Sequence, residues 1–223
     1  FFIHTNSDAA DFKICICKHE NIKRWQDYIP ATKGVLIGGF DLLNEWMVRS
    51  ELRDALIKLY VRNLKTDKEE ELIITNEKVI TPGVSLMQKN RNTNKLYIGY
   101  NSPKTPGKSY IYDIVTKEKE LVKEEVVPSG HQPDDYIVER LNCDSYDGQK
   151  IPLTITFHKK TKLDGSANLL LYAYGSYGTS MGPGFSSSRL SLIDRDIIWV
   201  TAHIRGGMER GMNWWKEGKM LNK

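Results

Sequence analysis

The chain has 223 residues, 40% of them hydrophobic and 27% charged, which is enough apolar side chain for a real core and more length than one small domain needs. Its net charge of +4 comes from 32 basic and 28 acidic side chains, mixed as in Lys117-Glu118-Lys119-Glu120, so no basic stripe marks a nucleic-acid binder. No run of about 18 apolar residues marks a membrane span, no leader marks a signal peptide, and three cysteines, an odd number, argue against a disulfide framework.

The first 126 residues repeat a coarse pattern. FFIHTNS at 1–7, EWMVRSE at 45–51 and LYIGYNS at 96–102 each lead through a polar loop into a strand, a turn and a second strand. The clearest copies are Lys58 to Leu64 followed by Glu71 to Ile74, and Lys108 to Ile114 followed by Leu121-Val122; Phe12 to Cys17 followed by Trp25 to Ile29 is a looser one. The spacing of 44 to 51 residues is that of four-stranded β-propeller blades, with a plain run of antiparallel meanders as the alternative. About three blades fit, whereas a propeller closes with about four to eight, so the chain is expected to be a piece of something longer. Cys15 and Cys17 share a strand face. They read as buried structural thiols; a metal pair would need further ligands at zinc-site spacing, and none follow. Reduced thiols suit a cytoplasmic location.

Residues 127–135 hold two prolines and a glycine and read as a linker. Beyond it, Tyr136 to Cys143, an Asp-Gly turn at 147–148 and Gln149 to His158 predict an antiparallel hairpin. Asn168 to Tyr174 and Asp196 to His203 are apolar enough to be buried parallel strands, joined by a helix that runs from the caps offered by Ser186 to Ser188 to Asp194. A last helix is predicted over Gly211 to Leu221, with Trp214 and Trp215 as packing residues.

A hairpin leading into parallel strands, with a glycine-rich loop after the third strand, matches the opening of an α/β-hydrolase. In that fold the loop supplies one oxyanion donor, so Tyr174 to Gly178 is the candidate site, and a tyrosine hydroxyl on a packed ring can serve as the donor. The histidines carry no assigned triad role: His203 reads as a satisfied core side chain at a strand end, and His4, His19, His131 and His158 fall at strand ends or in loops. Asp134, Asp135, Asp144 and Asp147 read as turn and cap residues.

The segments LLLYAYGSYG, FSSSRLSLIDR and AHIRGGMERGMNWWKEGK resemble the serine peptidases of the prolyl oligopeptidase family, and most of all its oligopeptidase B branch. The resemblance extends through the propeller-like part. It implies a mixed fold, with about three C-terminal propeller blades at 1–126, a linker at 127–135 and the beginning of an α/β-hydrolase catalytic domain at 136–223. It implies hydrolysis of short peptides, after Arg or Lys in the oligopeptidase B branch, with no cofactor and no metal. Tyr174 matches the family tyrosine that helps form the oxyanion hole, and Arg205-Gly206-Gly207 matches a structural motif at the next strand end. The family's Gly-Gly-Ser-x-Gly-Gly nucleophile elbow, its Asp and its His are expected downstream of Lys223, and the chain is read as having no G-x-S-x-G anywhere. Two Asp residues that favour a second basic side chain in relatives correspond to Gly182 and Gly184, so a weaker preference for paired basic residues is expected. The chain alone is expected to be inactive. Beside this stand a non-catalytic remnant, one half of a split enzyme whose partner chain carries the triad, and a propeller binding module, which the parallel-strand segments argue against.

Overall fold

The computed structural model describes residues 1–86 and 91–222. Three antiparallel sheets occupy the first 124 residues. The first contains β1 (Phe2–Thr5), β2 (Lys13–Ile16) and β3 (Gln26–Ile29). The second contains β4 (Val35–Leu43), β5 (Trp46–Arg53), β6 (Leu56–Asn63) and β7 (Glu69–Glu71). The third contains β8 (Thr81–Leu86), β9 (Lys95–Asn101), β10 (Lys108–Asp113) and β11 (Lys119–Glu124). Within each sheet the strands pair in chain order, as blades do.

The repeat has a local cause. In the β6–β7 turn the Asn63 side chain accepts the Lys65 and Thr66 amides at 2.9 and 3.0 Å, and Asp67 sits at φ 56°. In the β10–β11 turn Asp113 accepts the Val115 and Thr116 amides at 2.8 and 3.1 Å, and Lys117 sits at φ 64°. These are the same side-chain-closed turn, with an Asn or Asp at its head and a Thr three residues on. The strands between are period-two: Leu96, Ile98 and Tyr100 of β9 are buried while Tyr97 and Gly99 are half-buried.

The middle sheet is covered on both sides. Met47 of β5 packs with Ile14, Ile29 and Ile37, and its neighbour Val48 packs with Leu59, Val61, Leu96 and Ile98. Adjacent residues of one strand point to opposite faces, so β5 holds the first and third sheets together. Burying each such side chain contributes about 1.5–3 kcal/mol. The Lys/Glu-rich β11 is exposed throughout and forms the outer edge of its sheet.

The fourth sheet is of a different kind. β12 (Tyr136–Asp144) and β13 (Lys150–His158) form the expected hairpin, β13 pairs antiparallel with β15 (Ile198–Ala202), and β15 pairs parallel with β14 (Leu169–Ala173). The order is β12-β13-β15-β14. Helix α1 (Ser187–Ile193) joins the parallel pair; Ser186 caps it by accepting the Arg189 amide, and Leu190 and Ile193 bury against Tyr136, Phe185 and Trp199.

Two expectations are corrected here. The strand beginning near Asn168 is not buried: Leu169 and Leu171 of β14 are 57% and 63% exposed, because β14 is an edge strand and α1 leans on the β15 side of the sheet. Central β15 meets the expectation, with Val200 and Ala202 buried. The last helix is shorter than expected: α2 covers Gly211–Lys216, and a separate 3₁₀ turn follows at Met220–Asn222. Gly218 explains the stop, since its Cα packs so tightly on the Gly206 backbone that a Cβ would lie 2.3 Å from the Gly206 nitrogen.

Candidate functional site

The parallel register sets Ala173 beside Ala202, which brings Tyr174 level with His203 and Gly175 against Ile204 and Arg205. Tyr174 is thus at the C-terminal end of a strand of a parallel pair, where open α/β sheets hold ligands. It is 42% exposed, and among the described residues its hydroxyl has no hydrogen-bond partner.

The loop after it is locked by glycine backbone. Gly175 adopts φ 58°, and a Cβ there would sit 2.5 Å from the Arg205 carbonyl; Gly206 adopts φ 98°, and a Cβ there would sit 1.9 Å from the Gly175 carbonyl. Only glycine permits both the left-handed conformation and that approach. Across the same seam Gly178 N–H donates to the Gly206 carbonyl at 2.9 Å, and Gly206 N–H donates to Trp214 at 3.0 Å. Arg205-Gly206-Gly207 therefore acts as a backbone platform under the loop. Beside it lies a depression of about 450 Å³ lined by Ser176, Tyr177, Trp215 and Lys219, with the Lys219 ammonium 4.1 Å above the Trp215 ring. Trp214 is buried and donates to the His203 carbonyl at 3.3 Å, while Trp215 faces the depression.

His203 is buried but only half satisfied, which corrects the expectation of a satisfied core histidine. Its Nε2 lies 2.8 Å from the Thr154 hydroxyl, which accepts from the Arg140 guanidinium at 2.8 Å and so has its proton free for the ring. That assigns the ring proton to Nδ1, which makes no hydrogen bond of ordinary geometry. Burial, and next the Arg140 charge, push the imidazole down to about 4, with the Met181 backbone pulling weakly the other way. Burial also holds Arg140 below its ordinary range. His203 is a neutral strut here, and no carboxylate orients it as a base.

One motif was missed. Gly178-Thr179-Ser180-Met181-Gly182 does spell G-x-S-x-G. It is not an elbow: it lies in irregular chain after β14 has ended at Ala173 and before α1 begins at Ser187, whereas an elbow turns directly from strand into helix. The Ser180 hydroxyl accepts the Met208 amide at 3.2 Å, and no histidine bonds to it. The letters alone could have flagged it; only the geometry dismisses it.

Two buried carboxylates were also not anticipated. Asp11, 5% exposed, accepts the Gly34 amide at 2.8 Å and the Met212 amide of α2 at 2.6 Å. Glu209, 1% exposed, accepts the Met181 amide at 2.9 Å; burial raises its carboxyl above the usual range. Gly182 and Gly184 face the third sheet: a Cβ at Gly182 would be 3.5 Å from the Thr81 hydroxyl, and one at Gly184 3.1 Å from Asn101. Neither position carries charge. His131, His158, His4 and His19 stay apart from Tyr174; His131 stacks on Tyr136, and His4 on Phe12. Asp147 pairs with Arg205, and Asp135 with Lys159 at 2.6 Å. Cys15 and Cys17 are buried free thiols, and among the described residues no group of three or more His, Cys, Asp or Glu is placed to hold a metal. Among those residues no helix is long and apolar enough to cross a membrane.

Comparison with known proteins bears on the same architecture. Residues 1–125 match the family described as prolyl oligopeptidase, N-terminal beta-propeller domain. Dipeptidyl aminopeptidase BI of Pseudoxanthomonas mexicana is 36% identical over 225 residues, covering 99% of this chain and 31% of the relative. Protease 2 of Moraxella lacunata is 28% identical over 221 residues, with 99% and 31% covered. Oligopeptidase B from Trypanosoma brucei, in a closed form with covalently bound antipain, superposes with a TM-score of 0.88 at 30% identity, over 97% of this chain and 32% of that one. The chain therefore spans about a third of the length of the relatives it matches.

Proposed function

The chain belongs to the prolyl oligopeptidase family, and we propose from that premise that it is the part of a serine peptidase where propeller passes into catalytic domain. Residues 1–126 form propeller blades, 127–135 the connection, and 136–223 the opening strands of an α/β-hydrolase domain. Tyr174 donates its hydroxyl to the oxyanion of the tetrahedral intermediate. The observation that carries this reading is the parallel β14–β15 pair, with an exposed Tyr174 hydroxyl, unpartnered among the described residues, at its C-terminal end on a glycine-locked base. Such a donor must be rigid before the reaction, because its worth comes from not having to reorganise.

In this reading the nucleophile, Asp and His are contributed by polypeptide other than residues 1–223, and these residues alone do not form an acyl-enzyme. The substrates are short peptides cut after Arg or Lys. With no charge at Gly182 or Gly184, the preference for a second basic residue is weak. The two buried free thiols suit a reducing compartment, the cytoplasm. A split enzyme, with the triad on a second chain, is the other reading; the exposed edge and apolar face of β14 are open to a strand from either source.

The test uses the polypeptide as its source cells make it. Tyr174→Phe is expected to lower kcat by about 10²–10³ with little change in KM, as loss of one oxyanion donor does. Arginyl, lysyl, prolyl and dipeptidyl amides, with a single or paired basic residue, measure the specificity. An unchanged kcat removes Tyr174 from the oxyanion hole; faster cleavage of prolyl than arginyl amides overturns the basic-residue assignment.

A further inference from the structure

The glycine-rich loop after Tyr174 is fastened to the loop after β15 at three points: Gly178 N–H to the Gly206 carbonyl, Met208 N–H to the Ser180 hydroxyl, and Met181 N–H to the Glu209 carboxylate. The third is unlike the others. Glu209 is a wholly buried carboxylate, and an isolated buried charge is costly unless hydrogen bonds hold it. One of its oxygens is used by Met181; the other has no partner and packs on Gly207, where a Cβ would come within 2.1 Å of it. No ion pair involves this side chain among the described residues, so the Met181 amide is its one side-chain tie to the rest of the fold. Its backbone carbonyl meanwhile accepts the Ala55 amide at 3.0 Å, in the β5–β6 turn of the second sheet. Farther along the loop, Phe185 N–H donates to Asn101 of the third sheet at 2.9 Å.

We infer that Glu209 is a positioning residue, whose buried carboxylate fixes the loop 175–184 by accepting the Met181 amide and thereby fixes the Tyr174 hydroxyl at the root of that loop. This rests on the reading of Tyr174 as an oxyanion donor. Glu209 touches no reacting atom; it removes the freedom that the loop would otherwise spend when the oxyanion forms. The residue type follows from the task. A backbone amide facing away from water needs an acceptor that reaches across the seam, and a charge-assisted bond is about twice as strong as a neutral one. Aspartate, one methylene shorter, cannot reach without moving the platform, whereas glutamine keeps the reach and gives up only the charge.

The experiment again uses the polypeptide as its source cells make it, with two readouts. Hydrogen exchange of the Met181 amide and of peptides spanning 175–184 reports the loop without any reaction. Glu209→Asp is expected to speed that exchange about tenfold or more, and Glu209→Gln to regain most of the protection. Steady-state cleavage of an arginyl amide reports the consequence: Glu209→Asp is expected to lower kcat about tenfold with KM within about twofold, and to cost less than about twofold in a Tyr174→Phe background, since linked residues are not additive. If Tyr174→Phe leaves kcat intact, the oxyanion reading falls, while the exchange data still decide whether Glu209 holds the loop. If Tyr174→Phe is slow but Glu209→Asp costs the same factor in both backgrounds, the positioning role is overturned and the oxyanion reading stands. Unchanged exchange in Glu209→Asp overturns it outright. Should that variant fail to fold, Glu209→Met decides, since it keeps the length and has no oxygen acceptor: exchange about tenfold faster supports the role, and unchanged exchange refutes it.

Discussion

His203 makes acid stability a direct test of the buried strut. The imidazole is neutral in the fold and titrates at about 4, against an ordinary value of about 6.5 when unfolded. Between these values the unfolded chain binds a proton that the folded chain refuses, so this group's stabilisation is complete above about pH 6.5 and is lost as pH falls toward about 4. A shift of about 2.5 units at about 1.4 kcal/mol each corresponds to roughly 3 kcal/mol, of which about 2 kcal/mol is lost between pH 7 and about 4.5. Glu209, with its carboxyl raised by burial, acts in the opposite direction, and Arg140 stays charged throughout. Comparing wild type with His203→Gln cancels both contributions. Glutamine can still take the Thr154 proton but does not titrate. Urea unfolding at pH 7 and at about 4.5 is expected to show wild type losing about 2 kcal/mol more than the variant. Equal losses, within about 0.5 kcal/mol, would mean that the ring is protonated in the fold, and the tautomer assigned to the Thr154–His203 bond would be wrong.

Asp11→Ala strands two partly buried amides, Gly34 and Met212, and is expected to cost about 2–4 kcal/mol by chemical denaturation; a loss under about 1 kcal/mol would show that water replaces the carboxylate. Gly206→Ala forces a Cβ into the Gly175 carbonyl at positive φ and is expected to cost at least about 3 kcal/mol, or to prevent folding, with a near-neutral thermal shift counting against the seam as drawn. Ser180→Ala is expected to leave covalent labelling of the native polypeptide by a fluorophosphonate unchanged, because its hydroxyl accepts an amide and faces no base; loss of the label would make this loop the nucleophile elbow after all.

Legibility followed the range of the forces. The blades were readable because period-two alternation and side-chain-closed turns are local: Asn63 and Asp113 head the same turn fifty positions apart, and both show in the letters. The parallel pair was readable from two apolar runs flanking a helix, yet the exposure of β14 was not, since an apolar run states what a strand can bury and not whether anything lies against it. Tyr174 was singled out through a strand end and a resemblance; the structure shows its position after the β14–β15 register, and its role in the oxyanion hole remains a proposal. Asp11 and Glu209 were invisible because their partners, Met212 and Met181, are backbone amides that depend on the tertiary approach of distant segments. Ser180 shows the converse: a motif legible in sequence that has neither the strand before it nor the helix after it that would give it meaning.

How the two parts meet follows from where the apolar clusters are. One cluster joins the first and second sheets, another the second and third, and the last joins α1 to the fourth sheet; none of them spans both sides of residues 127–135. The bonds that do cross are polar: Asp11 to Met212, Ala55 to Glu209, Asp54 to Arg210 at 2.6 Å and to Arg140, and Asn101 to Phe185. A polar joint differs from a shared apolar core in a specific way. Its donors and acceptors can be taken over by water when it opens, so opening exposes little apolar surface, and relative motion of the two parts costs less than unfolding either. Three of the crossing contacts, through Glu209, Arg210 and Met212, fall on the few residues that also underlie the Tyr174 loop. The segment under the loop is therefore shared with the first and second sheets, and in the oxyanion reading the placing of the Tyr174 hydroxyl depends on the Asp11 and Asp54 turns as well as on the strand that bears it.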